Sequence, residues 1–491
     1  MRLSDLLSRA GLAVDGAGEA AVTGFAIDHR KVAPGTVFGA FQGAAVNGED
    51  FIPAAIAAGA VAVVARPEAT VAGAPHIADA QPRRAFAKVA AGFFSPAPAT
   101  IVAVTGTNGK TSCVEMTRQI WRMAGERAAS IGTLGVTTPD GSIATGLTTP
   151  DIVTFLANMS GLAREGVTHV AYEASSHGLS QFRNEGLTVV ASAFTNFSRD
   201  HLDYHGTMDA YFAAKMRLFA EVAAPGSPAV IHDAGDGSHW TAQAIATAAA
   251  RGLNVRTVGE GGTFLRLALR EPTQLGQTLT IERDGETRKI NLPLIGAYQA
   301  ANALVSAGLA LSTGIGAGAV YDALTRLQPV RGRLERAALN PAGAPAYVDY
   351  AHTPDALEAA IAALRPHVAP GGRLIVVFGA GGDRDTGKRP QMGAVAARAA
   401  DIAIVTDDNP RSEAPAAIRA AILAGAGEGL REIGDRRAAI AAALGEAGAA
   451  DIVLIAGKGH EQGQIFGSGA TMRIEAFDDV EVARECAGAR S

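Results

Sequence analysis

This 491-residue sequence predicts an α/β fold in three domains, and three observations carry that prediction. Short apolar runs alternate with helix-length segments over most of the chain. The 58 glycines, with abundant alanine, suit many tight strand–helix connections. A glycine turn, Thr105-Gly106-Thr107-Asn108-Gly109-Lys110-Thr111-Ser112, lies directly behind the apolar run Ile101–Val104 and ahead of a helix-like stretch, Cys113–Ala124. A chain of this length exceeds one compact core, and about three domains are expected. We divide it into residues 1–97, 98–332 and 333–491, with Pro96-Ala97-Pro98 as the first linker.

The first part carries short apolar segments, with Gly35, Gly43 and Gly48 marking turns, then an alternation through Ala60–Ala65. The second part carries strand-like runs at His169–Glu173, Val189–Phe194 and Ala229–His232. Its later stretch, Thr278–Asn291, mixes β-branched residues and charges as a solvated antiparallel edge does. A helix-like segment, Tyr298–Leu311, follows. The third part repeats a strand–helix beat at Tyr347–Asp349, Leu374–Phe378, Ile402–Thr406 and Asp451–Ala456, which predicts a mostly parallel sheet. Ligands of such sheets gather beyond the strand C-termini, and polar clusters fall there, after Phe378, Thr406 and Ala456.

Composition excludes several classes of function. Apolar residues make up 48% and charged ones 19%, as in ordinary globular proteins. A net charge of −5 without a basic stripe argues against a nucleic-acid surface. Two cysteines, Cys113 and Cys486, form no disulfide framework and fit a reducing compartment, so a cytoplasmic location is expected. Met1–Gly18 lacks a basic segment followed by an apolar core, so it does not read as a signal peptide. No apolar run reaches the ~20 residues that span a bilayer.

The glycine turn reads as a socket for a polyphosphate. Backbone N–H groups and the positive helix end face the anion, Lys110 adds a point charge, and the Thr111 hydroxyl suits magnesium. A general phosphate loop would place its first glycine at Val104; the pair Gly106 and Gly109 is tighter, a shortened variant. A plain turn between strand and helix is the alternative. Glu173 ends a strand, where nucleotide hydrolases commonly hold magnesium; a solvated carboxylate is the simpler reading. The run Arg199-Asp200-His201-Leu202-Asp203-Tyr204-His205 is too polar for a core strand. Its spacing fits neither a zinc protease nor a zinc finger, and one histidine as a magnesium or manganese ligand is the better reading.

In the third part, Gly379-Ala380-Gly381-Gly382-Asp383-Arg384 is not a dinucleotide fingerprint, because Arg384 stands where the last glycine belongs. Arg384, Lys388 and Arg389 instead add positive charge near the sheet edge. Asp407-Asp408-Asn409-Pro410-Arg411 combines groups that suit a zwitterionic amino acid, carboxylate for ammonium and guanidinium for carboxylate. A surface turn organised by Asn-Pro is the alternative. Gly457-Lys458-Gly459-His460-Glu461 follows the last strand, where glycine lets backbone approach a ligand.

Five ordered motifs together resemble the Mur ligases: Thr105-Gly-Thr-Asn-Gly-Lys-Thr111, Glu173-Ala-Ser-Ser-His-Gly-Leu179, Asp200-His-Leu-Asp-Tyr-His205, Val348-Asp-Tyr-Ala-His-Thr-Pro-Asp355 and Asp408-Asn-Pro-Arg411. The resemblance implies a small N-terminal uridine-binding α/β domain, a central P-loop ATPase-like domain and a C-terminal Rossmann-like domain. It also implies ATP-dependent formation of an amide through an acyl phosphate, in peptidoglycan precursor synthesis, on which cell shape and division depend. The branch it resembles adds meso-diaminopimelate to UDP-MurNAc-L-Ala-D-Glu. On this resemblance Gly106, Thr107, Asn108, Gly109, Lys110, Thr111 and Ser112 bind ATP phosphates, with Asn302, Arg333 and Asp349 toward the adenosine. Thr111, Glu173, His201 and Lys215 are implied metal ligands for Mg2+. Lys215, in Tyr211-Phe-Ala-Ala-Lys215, is implied to carry an N-carbamate, although by sequence alone it reads as a helix-surface lysine.

The nucleotide-sugar dipeptide falls by the same resemblance on His29, Thr148, Thr149, Ser175, Gln181 and Arg183. Diaminopimelate falls on Arg384, Asp408, Asn409, Arg411, Gly457 and Glu461. Partners are then small molecules only, with no nucleic acid and no membrane insertion, and a monomer is expected. Four departures stand out: His29 where Ser is usual, Gln299 where Asn is usual, Ala380 where Cys is common, and Val330-Arg331-Gly332-Arg333 in place of Val-Pro-Gly-Arg. Folate polyglutamylation shares the architecture but should lack the first part and Asp-Asn-Pro-Arg. A phosphate-loop regulatory protein would leave the third part's ionic cluster without a use.

Overall fold

The computed structural model describes residues 1–12, 19–43, 46–143, 148–273, 275–427 and 429–488, with every side chain among them except those of Asp203 and Ala470. The end of the Met1–Gly18 segment and the side chain of Asp203 in the His-Asp-His run therefore lie outside what is described. The chain forms two compact units, Met1–Phe264 with Val305–Val320, and Leu265–Leu304 with Tyr321–Ser491.

The first unit opens with a four-stranded parallel sheet, Gly24–Ala26, Thr36–Gly39, Ala60–Ala65 and His76–Ala78, in that order. Helix Pro82–Phe93 carries proline in its first turn, where no N–H bond is lost, and buries Ala85, Phe86, Val89 and Ala90. Phe25 meets Phe86 edge-on at 5.4 Å between ring centres. A larger sheet follows, in which six parallel strands lie in the order Asn254–Gly259, Pro228–His232, Ala191–Phe194, Thr100–Thr105, His169–Glu173 and Ala128–Gly132. Ile101, Val102, Ala103 and Val104 are fully or almost fully buried, which explains an unbroken apolar run rather than an alternating one. The connections from Thr100–Thr105 and from its two neighbours emerge at the same edge, so sequence 70 to 90 residues apart meets there.

Helix Lys110–Met123 begins three residues before the predicted start, inside the glycine turn itself. Asp151 caps helix Ile152–Arg164, accepting the N–H groups of Val153 at 3.0 Å and Thr154 at 3.1 Å. Arg84 reaches from the Pro82–Phe93 helix to Glu185 at 3.3 Å and to Glu221, fastening the first sheet's helix to the second sheet's flank.

The second unit contains an antiparallel meander, Leu265–Thr273, Gly276–Arg283 and Glu286–Leu292. The predicted Thr278–Asn291 edge is thus two strands joined at Asp284-Gly285. Its other sheet runs Glu335–Leu339, Pro345–Asp349, Ile452–Ala456, Leu374–Phe378, Ile402–Val405 and Arg431–Glu432; only the first pairing is antiparallel. Helix Pro354–Leu364 starts at Thr353, whose hydroxyl accepts the Ala356 N–H, with proline at the first helical position. No helix among the described residues is long and apolar enough to cross a membrane.

One charge pair lies in the heart of that sheet's flank. Arg436 donates bidentately to Asp479 at 2.7 and 2.7 Å, and both side chains are almost fully buried. Removing one partner strands the other charge away from water, at a cost of about 3–5 kcal/mol. Asp479→Ala should therefore lower the unfolding free energy measured in urea by an amount of that order, while an Arg436→Met/Asp479→Leu pair should recover most of the loss.

Candidate functional site

The glycine turn is held against the neighbouring strand's exit. Asn196 accepts the Thr107 N–H with its carbonyl at 2.9 Å and the Asn108 N–H with its side-chain oxygen at 2.9 Å. The Thr195 hydroxyl donates to the Asn108 carbonyl at 2.5 Å, and Thr107 exchanges bonds with Ser198 at 3.1 and 3.2 Å. Gly106, at φ 145°, has no space for a side chain: a Cβ would overlap the Thr195 hydroxyl and lie 3.1 Å from the Asn196 backbone. Two turn amides are therefore used inside the protein. The helix-start amides of Thr111 and Ser112 remain groups suited to an external anion, because the first turn of a helix offers them no carbonyl one turn back.

Two lysines converge on one carbonyl. Lys110 Nζ donates to the carbonyls of Gly106 at 3.0 Å and Thr107 at 2.8 Å, and Lys215 Nζ donates to that of Gly106 at 2.7 Å. Lys215 is not on a helix surface. It is 1% exposed, on the inner face of helix Met208–Arg217, 4.4 Å above the Tyr211 ring. The 3.6-residue period places it with Tyr211, whose hydroxyl reaches Thr107 at 3.3 Å. Burial, and next the nearby Lys110 charge, hold the Lys215 ammonium well below its ordinary pKa and favour the neutral amine.

Glu173 ends its strand almost fully buried, with Oε1 accepting the Thr133 N–H at 2.7 Å. A hydrogen-bonded chain leads outward from it. Thr149 Oγ1 donates to the Glu173 carbonyl at 2.9 Å and lies 2.9 Å from Ser175 Oγ; Arg183 donates to the Thr149 carbonyl at 2.9 Å and to Gln181 Oε1 at 2.7 and 3.1 Å. Thr148 joins through Thr133, hydroxyl to hydroxyl at 3.0 Å. Five of the six residues expected to hold the nucleotide-sugar dipeptide thus form one network with Glu173.

The sixth, His29, stands apart from it. Its ring stacks flat on Phe51, 4.3 Å centre to centre and 2° from parallel, beside an Asp28–Arg30 ion pair that draws the Asp28 carboxyl down to about 2. His201 takes a left-handed backbone, φ 51°, at the start of the short helix Leu202–His205. Its ring lies 4.9 Å from His177 and 5.9 Å from Tyr211, and its Nε2 is 3.4 Å from Asp200. Among the described residues no group of three or more His, Cys, Asp and Glu side chains is arranged to hold a metal ion.

In the second unit, Asn302, Arg333 and Asp349 also meet. Asn302 donates to Gln299 Oε1 at 3.2 Å, and Gln299 donates to the Arg333 carbonyl at 2.8 Å, so the unusual glutamine spans a gap. Asp349 accepts the N–H groups of Leu334 at 2.8 Å and Ala351 at 2.9 Å; its burial pushes its pKa up. Arg333 lies over the Tyr350 ring at 4.9 Å.

The cluster expected for the amino acid is assembled around a residue that sequence reasoning passed over. Lys458 is fully buried and donates to Asn409 Oδ1 at 2.9 Å and Asp408 Oδ1 at 3.3 Å. Asn409 in turn donates to Glu461 Oε2 at 2.7 Å. Gly457, φ 120°, leaves room for the Asp408 carboxylate, which a Cβ would overlap. Arg411 anchors one guanidinium nitrogen on the Gly382 carbonyl at 2.8 Å, and Arg384 is exposed. Arg389 does not contribute its charge to the edge: it is buried against Glu413 at 2.8 and 2.8 Å. Lys388 donates to the His352 carbonyl at 2.9 Å. The Lys458 signal was visible, a lysine between two glycines at a strand end, but its burial was not.

Two outcomes follow. Gly106→Ala must push the turn off Thr195, and ATP turnover should fall on the order of 10²-fold in a folded enzyme, as steady-state ADP release would register. A lysine whose folded pKa is depressed binds fewer protons than its unfolded form, so it costs stability below its ordinary pKa of 10.5 and costs less as pH rises toward it. The stability advantage of Lys215→Met over wild type should accordingly shrink from pH 7 to pH 9.5, in urea unfolding under CO2-free buffer.

Comparison with known proteins bears on the whole chain. Residues 21–94 match the model of the Mur ligase family catalytic domain, residues 104–310 the Mur ligase middle domain, and residues 332–459 the Mur ligase, glutamate ligase domain. A UDP-N-acetylmuramoyl-L-alanyl-D-glutamate–2,6-diaminopimelate ligase from Zymomonas mobilis is 59% identical over 94% of both chains. Proteins of the same name from Bradyrhizobium diazoefficiens and Caulobacter vibrioides are 53% identical over 95% of this chain and 96% of theirs, and 50% over 98% and 97%. A solved structure of a ligase of that name superposes with a TM-score of 0.76 at 32% identity, covering 100% of this chain and 99% of its own. A mycobacterial folylpolyglutamate synthase shares only the fold, with a TM-score of 0.59 at 20% identity over 74% of this chain and 89% of its own. With three successive domain models and near-full-length relatives in agreement, the chain belongs to the Mur ligase family.

Proposed function

We propose that the chain is an ATP-dependent amide ligase joining meso-diaminopimelate to UDP-N-acetylmuramoyl-L-alanyl-D-glutamate in peptidoglycan precursor synthesis. One observation carries this reading: a single polar network runs from Glu173, beside the phosphate turn, to Thr149, Ser175, Gln181 and Arg183. A triphosphate and a carboxylate to be activated then have adjacent seats. Residues 1–97 are assigned to the nucleotide sugar, 98–332 to ATP and 333–491 to the amino acid, all acting on small molecules in a monomer.

The reaction is one of positioning and charge neutralisation. A carboxylate oxygen of the dipeptide attacks the γ-phosphorus of ATP, the bond to the β-phosphate oxygen breaks, and ADP leaves. The amine of diaminopimelate then adds to the acyl phosphate, and the tetrahedral intermediate expels phosphate to leave the amide. Lys110 and the helix-start amides of Thr111 and Ser112 hold the phosphates. Asn302, Arg333 and Asp349 orient the adenosine.

The oxygen donors fit a hard cation, since the Thr111 hydroxyl and the Glu173 carboxylate are both buried at the turn. We assign them to Mg2+, with His201 and a carbamylated Lys215 for a second ion; bound magnesium supplies neutralisation of the triphosphate charge. Lys215 suits the modification because its neutral amine attacks the carbon of CO2, forms the N–C bond and releases a proton to solvent. The product is an anionic oxygen ligand in place of a cation.

Asp408, Asn409, Gly457 and Glu461 receive the amino-acid end of diaminopimelate, and Arg384 and Arg411 its carboxylates. Lysine lacks the far carboxylate and would leave Arg411 desolvated without a partner, at a cost of about 2 kcal/mol. Phosphate release with the UDP-muramoyl dipeptide and ATP should therefore be at least ~30-fold more efficient with meso-diaminopimelate than with lysine. Comparable rates would remove the assignment of substrate. Arg411→Lys loses the fork and should cut kcat/KM for diaminopimelate on the order of 10- to 100-fold with KM for ATP unchanged.

A further inference from the structure

Arg83 and Arg84 are adjacent in sequence, but the structure gives them different surroundings. Arg84 is neutralised by Glu185 and Glu221. Arg83 leaves the same helix in another direction: its guanidinium lies 4.8 Å over the Phe41 ring and donates one N–H to the Gln42 carbonyl at 3.1 Å. No acidic side chain among the described residues forms an ion pair with it.

It lines a small cleft, about 70 Å³ in volume and partly open to solvent, together with Phe41, Asp151, Gln181, Phe182 and Arg183. Arg183 likewise bonds to a carbonyl and an amide oxygen, Thr149 and Gln181, rather than to a carboxylate. Asp151 does not serve either guanidinium as a counter-ion. Its Oδ1 accepts two helix N–H groups and its Oδ2 accepts the Thr154 hydroxyl at 2.7 Å. The two arginines sense each other: burial, and next the Arg183 charge, lower the pKa of Arg83. Two cations brought together in a half-buried cleft, with no carboxylate bonded to either guanidinium among the described residues, repel, and a bound anion relieves that repulsion.

We propose that Arg83 is a further substrate-binding residue, closing with Arg183 on an anionic group of the nucleotide-sugar dipeptide. This rests on the functional reading above. Pyrophosphate and a peptide carboxylate share the required chemistry, each presenting paired oxygens to a guanidinium fork. Phe41 and Gln42 hold the Arg83 side chain extended, so little freedom is lost when the anion arrives.

The test compares wild type, Arg83→Met, which keeps the bulk over Phe41, and Arg83→Lys, which keeps the charge. Calorimetric titration with UDP and with the UDP-muramoyl dipeptide is the readout, and kinetics supply KM for ATP and diaminopimelate. Arg83→Met should weaken the dipeptide substrate on the order of ten-fold or more, with partial rescue in Arg83→Lys and both other KM values unchanged. An equal loss for UDP identifies the pyrophosphate; unchanged UDP affinity identifies the carboxylate. Wild-type affinity of Arg83→Met for both ligands overturns the assignment of Arg83 alone. A variant that weakens every substrate alike, with a lowered melting temperature, overturns it in favour of a packing role. Failure of wild type to bind either ligand would overturn the functional reading itself.

Discussion

Between the ends of two neighbouring parallel strands, Thr100–Thr105 and Ala191–Phe194, there is room for backbone and nothing more. Gly106 passes under Thr195, and the following two amides are bonded to Asn196. That contact decides where the Lys110–Met123 helix begins, and so where its first-turn amides point. It also fixes the Gly106 carbonyl on which Lys110 and Lys215 converge. The turn gives part of its own hydrogen-bonding capacity to rigidity, and the helix start is left as the part suited to the proposed phosphate ligand.

The second unit solves a related problem with charge. Asp408, Lys458, Asn409 and Glu461 are drawn from two strand ends about fifty residues apart, and most of their bonds are to one another. Burial holds the Lys458 pKa down and the Glu461 pKa up, so each ionised form depends on its neighbours. Such a set is costly to build and stiff once built, a suitable property for discriminating among amino acids that differ by one carboxylate.

Much of this was legible in the sequence because it is local. The strands His169–Glu173, Ala60–Ala65 and Leu374–Phe378 coincide with the runs read from the sequence. What local pattern cannot carry is the direction of a side chain in a crowded place. Lys215 reads as a helix-surface lysine and Lys458 draws no role at all until the fold buries them, and Arg389 reads as a binding charge until Glu413 claims it. The family motifs singled out Lys215, which the fold buries, yet they were silent on Lys458 and Arg83. His29, placed by the same resemblance, stacks on Phe51 and stands apart from the network the other five residues share.

The tandem Arg83-Arg84 has a geometric consequence. Consecutive residues on a helix point roughly 100° apart. One guanidinium of the Pro82–Phe93 helix is tied to Glu185 and Glu221, and the other lies across Phe41, so the helix cannot roll about its axis without breaking both attachments. The pair works as a rotational key: it sets the angle at which the leading sheet is presented to the larger one, independently of how tightly their greasy faces adhere.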